Sequence, residues 1–531
     1  MIESKKVSAT QFAFMVLLVL SIPQFVHAAS TKPNIVVLVA DDLGWADVGY
    51  RGSPIETPNL DRLASEGVEL SRFYTTPSCS PTRAALMTGR NAFRLGIAYA
   101  TIMPWSNNGV HPEERFMPQA FKEAGYQTAM FGKWHLGHAQ ETYHPNQRGF
   151  DHFYGHLHTE VGFYPPFSNQ GGKDFQRNGV SIDDQDYETF MLVDEASRWL
   201  QDREKSKPFF IYMPFLAPHT PLDAPQEFKD KYRDMKDTRG PSRSPADRIS
   251  AMSKKAGHAK SQRQIYAAVV DAMDHAIGNL MDTLKKEGVV DNTIVLFFSD
   301  NGGQVIFGSG GADNSPLRGG KGEVFEGGIR NVSLMHWPAK IKGGQKLEQI
   351  VSVMDLFPTL AAAAGIETGV SKPLDGINMW PAITKGAKVP RKEPLFFAQE
   401  SPNFGSFKHT LFDDEWKLIQ LVEQDLEQIN IKNMLFKIKD DPNELKDVAG
   451  QQPEVVKTMA EKIRHWRGQY IVSGTRANLV PPPGWRAPKD WVNYPVPLAE
   501  LQEQAAPGML KGASKQLMQR SLGERGRLIY D

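Results

Sequence analysis

At 531 residues the chain is long enough for one large hydrophobic core and a smaller second domain. Its 61 basic residues offset 61 acidic ones, so it lacks the positive field a nucleic-acid binder needs. A single cysteine, Cys79, excludes an internal disulfide, and beyond Ser30 no apolar run approaches the roughly 20 residues that cross a bilayer.

Lys5 and Lys6, the apolar run FAFMVLLVLSI (Phe12 to Ile22) and the small residues of VHAAS read as a signal peptide over residues 1–28, cleaved after Ala28. Its removal takes Glu3, Lys5 and Lys6 and moves the charge balance by only one. The mature chain is then exported, with no stable membrane span. NIVVLVADD (Asn34 to Asp42) is a continuous apolar run closed by two acids. That is the pattern of a strand buried on both faces whose carboxyl end opens on a site. TPNLDRLASEG predicts a helix with Thr57 or Asn59 at its start and Gly67 at its stop. Helix MPQAFKEAG (Met117 to Gly125) and strand YQTAMFG follow, then helix Glu188 to Glu204 and strand PFFIYMPF (Pro208 to Phe215). In the long helix Gln262 to Glu287, Ile265, Val269, Met273, Ala276, Ile277 and Leu280 recur at helical spacing. Strand TIVLFFSDN (Thr293 to Asn301) again ends in polar residues. Strands alternating with helices predict a large doubly wound α/β domain with its site along the carboxyl edge of the sheet.

After SVMDLFPTLAAAAG (Ser352 to Gly365) the texture changes to short strand-like runs, PLFFAQ, KHTLFDDEWKLIQLV and MLFKIKDDPNEL, and a helix from Pro453 to Arg467. These predict a smaller C-terminal α+β domain, an antiparallel sheet with one packed helix. Beyond Ser473 the Pro-rich LVPPPGW and YPVPLAE wrap over the surface or stay partly disordered. The expected boundaries are 1–28 for the signal peptide, 33–390 for the catalytic domain, 391–472 for the smaller one and 473–531 for the extension.

Cys79 sits in PSCSPTRAALMTGR, Pro77 to Arg90. A lone cysteine is a small buried apolar residue, a reactive thiol, or the precursor of another group. Asp41 and Asp42 end one predicted strand, Asp300 and Asn301 another. Three carboxylates and an amide are hard oxygen ligands suited to Ca2+ or Mg2+, although Asp and Asn also commonly close strands in turns.

These motifs, with GKWHLG (Gly132 to Gly137), APHTP (Ala217 to Pro221), DNGG (Asp300 to Gly303), LRGGKGEVFEGGIR (Leu317 to Arg330) and DDPNEL, resemble the type I sulfatases of the alkaline-phosphatase-like superfamily. The likeness runs from about Pro33 to Leu445 and is greatest to arylsulfatase B, which removes the 4-sulfate of N-acetylgalactosamine. It implies a mixed, mostly parallel sheet. It also implies that Cys79 is oxidised after translation to formylglycine, by a formylglycine-generating maturation enzyme. The hydrated aldehyde attacks with one hydroxyl and expels sulfate when the other collapses, whereas a serine would be left as a stable sulfate ester.

The resemblance further implies one Ca2+ held by Asp41, Asp42, Asp300, Asn301 and the modified Cys79. Such an ion acts as a Lewis acid on a sulfate oxygen. Arg83 is expected to pin the formylglycine, and Lys133 and Lys321 to neutralise sulfuryl oxygens in binding and catalysis. His135 is expected as the base for collapse of the intermediate and His219 as the acid for the leaving alcohol.

The substrate class implied is a sulfated sugar or polysaccharide. Lys229 to Arg263, with eleven basic and four acidic residues, either rims the site or is a solvated loop. HLHTEVGFYPPF (His156 to Phe167) either stacks on a sugar or packs, with His156 and His158 as candidate contacts. Phosphate or phosphonate monoester hydrolysis is the alternative within the same superfamily, because C-x-P-x-R is shared there. A non-catalytic glycan-binding relative would be expected to lose Cys79, Lys133 or His219, and all three are present. One sequon, Asn331 in NVS, and no disulfide point to a bacterial periplasmic or secreted protein more than to a lysosomal or extracellular eukaryotic one.

Overall fold

The computed structural model describes residues 32–97, 101–159, 161–237, 239, 262–305, 310–401, 406–413, 415–424, 428–468 and 481–492. The expected signal peptide, most of the basic segment and most of the C-terminal extension lie outside these residues.

Five parallel strands form the centre of the large sheet: Asn34–Ala40 (β1), Gln127–Lys133 (β2), His152–His156 (β3), Phe209–Pro214 (β4) and Thr293–Ser299 (β5). They lie side by side in the order β5, β1, β4, β2, β3. Ser333–His336 runs antiparallel beside β5, and short edge strands complete ten in all. The sheet is therefore mixed and mostly parallel, as expected.

The continuous apolar pattern of β1 has its cause here. Ile35, Val37 and Val39 enter one core cluster while Val36, Leu38 and Ala40 enter the other, so both faces are covered. Helices Glu188–Asp202 and Gln262–Lys286 cover one face; Cys79–Thr88, Met117–Glu123 and Leu356–Ala364 cover the opposite one. Helix Pro58–Glu66 sits between Thr57 and Gly67, as its terminal signals predict, with proline at the first position. Thr57 makes no side-chain cap there; the Asp274 carboxylate from the long helix accepts from the Asn59 and Leu60 N–H groups at 3.0 and 2.8 Å. A tertiary contact thus satisfies donors that the local sequence leaves orphaned.

The C-terminal sheet has four antiparallel strands, Leu395–Ser401, Ser406–Asp413, Trp416–Gln424 and Ile429–Lys437, with helix Pro453–Gly468 packed on it. It is joined to the larger domain, at helix Glu326–Ile329 and the short strand Phe73–Tyr74, by a fully buried ion cluster. Lys417 Nζ donates to Glu326 Oε1 at 2.9 Å and to Glu444 Oε1 at 2.6 Å, and the Tyr74 hydroxyl donates to Glu326 Oε2 at 2.9 Å. Burial, with the Glu326 charge, pushes Glu444 up to about 7 against the pull of Lys417.

Replacing Lys417 by Met strands two buried carboxylates, so the expected loss at pH 7 is about 3–5 kcal/mol in urea unfolding. The sign with pH follows from Glu444. Its folded-state value lies above its unfolded one, so its contribution to stability falls as pH rises through the window from its ordinary value to about 7. The variant should accordingly recover part of its deficit at pH 4. An equal loss at both pH values would contradict this role.

Asn331, the sequon residue, is 1 % exposed and its Nδ2 donates to Thr75 Oγ1 at 2.7 Å. In the folded chain it cannot carry a glycan.

Candidate active site

Because the central strands are parallel, their carboxyl ends deliver side chains to one edge. β1 leads directly into Asp41 and Asp42, β5 into Asp300 and Asn301, and β2 through Lys133 into His135; β4 leads, five residues on, to His219. Gly132 makes the last approach of β2 possible. Its φ is +122° and a Cβ there would stand 2.1 Å from the Pro214 carbonyl oxygen. Asp42 (φ +69°) and His135 (φ +60°) both hold a left-handed backbone that costs a non-glycine residue free energy. Strain at two residues of one cluster marks a functional site.

Cys79 opens helix Cys79–Thr88, whose ten residues are all buried. Pro81 fits in the first turn, where its missing N–H bonds to nothing anyway. Arg83 lies one turn on and joins three strand ends. Its Nε and Nη2 donate to Asp300 Oδ2 at 3.1 and 2.9 Å, Nη2 reaches Asp41 Oδ2 at 3.2 Å, and Nη1 donates to the Lys133 carbonyl at 2.8 Å. Lys133 Nζ donates to Asp41 Oδ2 at 2.6 Å. Lys321 Nζ donates to Asp42 Oδ2 at 2.8 Å, and Asn301 Nδ2 to Asp42 Oδ1 at 2.6 Å.

Burial alone would raise the Asp41 carboxyl, but Lys133, His219, Arg83 and Lys321 together hold it well below the usual carboxylate range. Burial and the Asp41 charge raise Asp300 to about 7, against Arg83. Burial pushes the Cys79 thiol up to about 11 although Lys133 and Lys321 pull it down. Left as a thiol it would be only about one part in 10^4 thiolate at pH 7, a weak nucleophile.

His219 Nδ1 donates to the Thr220 carbonyl, which leaves Nε2 facing Asp42 Oδ2 at 3.7 Å. Burial first, then Lys321, lowers its pKa against Asp41 and Asp42. His135 Nε2 donates to the Ile102 carbonyl at 3.1 Å, because a carbonyl only accepts, and this leaves Nδ1 buried with no hydrogen-bond partner. Burial, then Lys133 and Arg83, keeps that ring neutral at pH 7.

The donor set fits a hard cation. Asp41 Oδ1 and Asn301 Oδ1 are buried oxygens without a hydrogen-bond partner, and both belong to the expected ligand set. Asp41, Asp42 and His219 lie with ligand atoms within 4.8 Å of one another and could hold a metal ion. The structure thus gathers Cys79, Arg83, Lys133, Lys321, Asp41, Asp42, Asp300, Asn301, His135 and His219 at one edge. It adds His219 to the metal-competent group, which the strand-end pattern of acids did not suggest.

His156 and His158 are fully buried beside this edge, not presented on an aromatic loop. His156 pairs in register with Lys133, and burial, Lys133 and Arg83 hold its pKa down to about 3. Sequence reasoning also passed over the props of the Lys321 loop. The Gly322 N–H donates to the Pro77 carbonyl at 2.8 Å, and Lys408 Nζ donates to the Gly322 carbonyl at 3.0 Å. The glycines of LRGGKGEVFEGG were the available signal for such a close backbone approach.

The family model named Sulfatase matches residues 33–366. The chain belongs to the sulfatase family. A second model, N-sulphoglucosamine sulphohydrolase C-terminal, matches residues 320–469 of this sulfatase. Arylsulfatase J of Mus musculus is 34% identical over 380 residues, which is 70% of this chain and 59% of the relative. This sulfatase therefore spans about three fifths of that relative's length. N-acetylgalactosamine-6-sulfatase of Homo sapiens is 33% identical over 394 residues, 70% of this chain and 69% of the relative. The solved structure of Ps i-CgsB in complex with k-i-k-neocarrahexaose superimposes with a TM-score of 0.71 at 33% identity, covering 83% of this chain and 94% of that one. The fold is the alkaline-phosphatase-like one the motifs implied. The narrower likeness to arylsulfatase B rests on the sequence motifs alone.

Proposed function

We propose that this sulfatase hydrolyses a sulfate ester on a sulfated sugar or polysaccharide, using formylglycine made from Cys79 and one Ca2+. The observation that carries this is the gathering of the Arg83, Lys133, Lys321, Asp41 and Asp300 charges around buried Cys79, with Asp42 bonded to Lys321 and to Asn301. Names of relatives that act on sulfated sugars support the substrate class.

When present, the hydrated aldehyde supplies a nucleophile that regenerates by expelling sulfate, and the calcium ion, held by Asp41, Asp42, Asp300 and Asn301, supplies a Lewis acid. This chain's own residues do the rest. Lys133 and Lys321 offer positive charge to sulfuryl oxygens that stay anionic throughout transfer. Arg83 holds Asp41 and Asp300 in place and so fixes the floor of the site. We assign His219 to give a proton to the leaving sugar oxygen as the S–O bond breaks. We assign His135, neutral with a bare Nδ1, to take the hydroxyl proton that lets sulfate depart.

Among the described residues no helix is long and apolar enough to cross a membrane. We read the protein as exported, with catalytic and smaller domains at 33–390 and 391–472 and a maturation enzyme as its necessary partner. The test is turnover of p-nitrophenyl sulfate against p-nitrophenyl phosphate by protein produced with a maturation enzyme. Sulfate hydrolysis dominating supports the reading, and phosphate hydrolysis dominating sinks it.

The lowered pKa of His219 sets the pH dependence. An acid must be protonated to act, and this one is protonated only below its depressed value, so kcat/KM should rise as pH falls below 6.5. Above that point it should fall by about tenfold per pH unit, and His219→Ala should remove this alkaline limb. A profile rising toward pH 9 would contradict the assignment.

A further inference from the structure

Part of the C-terminal extension returns to the catalytic sheet. The Lys173 N–H donates to the Lys489 carbonyl at 2.9 Å, the Trp491 N–H to the Lys173 carbonyl at 3.0 Å, and Trp491 Nε1 to the Gly171 carbonyl at 3.0 Å. Ser181 Oγ donates to Asp490 Oδ1 at 2.6 Å. Gly172, at φ +80°, makes the contact possible, since a Cβ there would stand 2.0 Å from the Pro488 carbonyl oxygen.

Trp491 is 1 % exposed, with its ring centroid 3.7 Å from that of His158. From it an aromatic ladder climbs outward, Trp491 to Trp485 at 6.4 Å and Trp485 to Trp105 at 5.6 Å. Its upper two rungs, Trp485 and Trp105, are only half-buried. Trp105 stands three residues after Ile102, at most about 11 Å of chain. The Ile102 N–H donates to Ser80 Oγ at 3.1 Å and its carbonyl accepts from His135, so the ladder leans on the wall of the catalytic pocket.

The strap is well anchored by Trp491 and its backbone bonds alone. Trp485 and Trp105 are only partly covered and keep some apolar surface in contact with water. Tryptophan faces match the C–H face of a pyranose ring, and the exposed Arg486 and Lys489 beside them match sulfate groups. We infer that Trp105 and Trp485 form a stacking subsite for the sugar next to the one being desulfated, with Arg486 offered to that sugar's sulfate. The inference rests on the sulfate-ester reading above and adds a preference for oligosaccharide over monosaccharide.

Calorimetry of k-i-k-neocarrahexaose, a chondroitin 6-sulfate hexasaccharide and N-acetylgalactosamine 6-sulfate on the Cys79→Ala chain tests it, with and without Trp485→Ala, Trp485→Phe or Trp105→Ala. At least one hexasaccharide should bind more tightly than the monosaccharide. Each tryptophan-to-alanine change should weaken that binding about tenfold, and Trp485→Phe should recover most of it. Hexasaccharides binding no better than the monosaccharide, or all ligands weakening equally, would overturn the subsite. The parent reading is judged separately, by release of sulfate from p-nitrophenyl sulfate.

Discussion

Replacing Cys79 by alanine is expected to lower kcat/KM for p-nitrophenyl sulfate by at least about 10^4-fold, because it removes the nucleophile and leaves only binding and charge stabilisation. The change is a fair test, since the thiol is 1 % exposed and small, so its loss should cost only about 1 kcal/mol of stability. Cys79→Ser separates two ideas that alanine cannot. A serine hydroxyl beside Lys133 and Lys321 can attack sulfate once, but it has no second oxygen whose collapse would release it. At most one equivalent of p-nitrophenol should appear, with no steady state. Steady turnover by the alanine variant would mean that another group attacks.

Asp41→Asn is expected to be nearly as severe. Asp41 is fully buried, its Oδ2 is shared by Lys133 and Arg83, and its Oδ1 has no hydrogen-bond partner. An amide keeps the shape but removes the charge those two cations and a calcium ion would need. Activity should fall by at least about 10^3-fold. Stability should fall by about 3–5 kcal/mol, because Lys133 and Arg83 stay buried with less compensation. The independent readout is the calcium-dependent rise in Tm, present in the parent chain and absent in the variant. A variant that kept both activity and that rise would show that Asp41 is no ligand.

Much of this was legible because it is local. β1 is a run of apolar residues on both faces followed by two acids, and helix Pro58–Glu66 carries its own stop in Gly67. The motifs that carry Asp41, Asp42, Asp300, Asn301, Lys133 and His135 lie next to strand ends, whereas Lys321 sits in a loop far from one. Helix Cys79–Thr88 was not read as a helix, since its Ser, Pro and Thr residues favour turns and its burial on all sides leaves no amphipathic stripe. Strand β3 was missed because His152–His156 is short and mixes a glycine with histidines. The Lys417 cluster, the Asp274 cap and the Trp485–Trp491 strap join residues distant in sequence, and no local pattern encodes such pairings.

The central claim is that Cys79 is not a cysteine in the working protein. The most direct measurement is the intact mass of the tryptic peptide Phe73 to Arg83, from protein made with a formylglycine-generating enzyme. The account predicts the mass of the aldehyde, or of its hydrate, in proportion to specific activity. An unmodified thiol in fully active protein would contradict it.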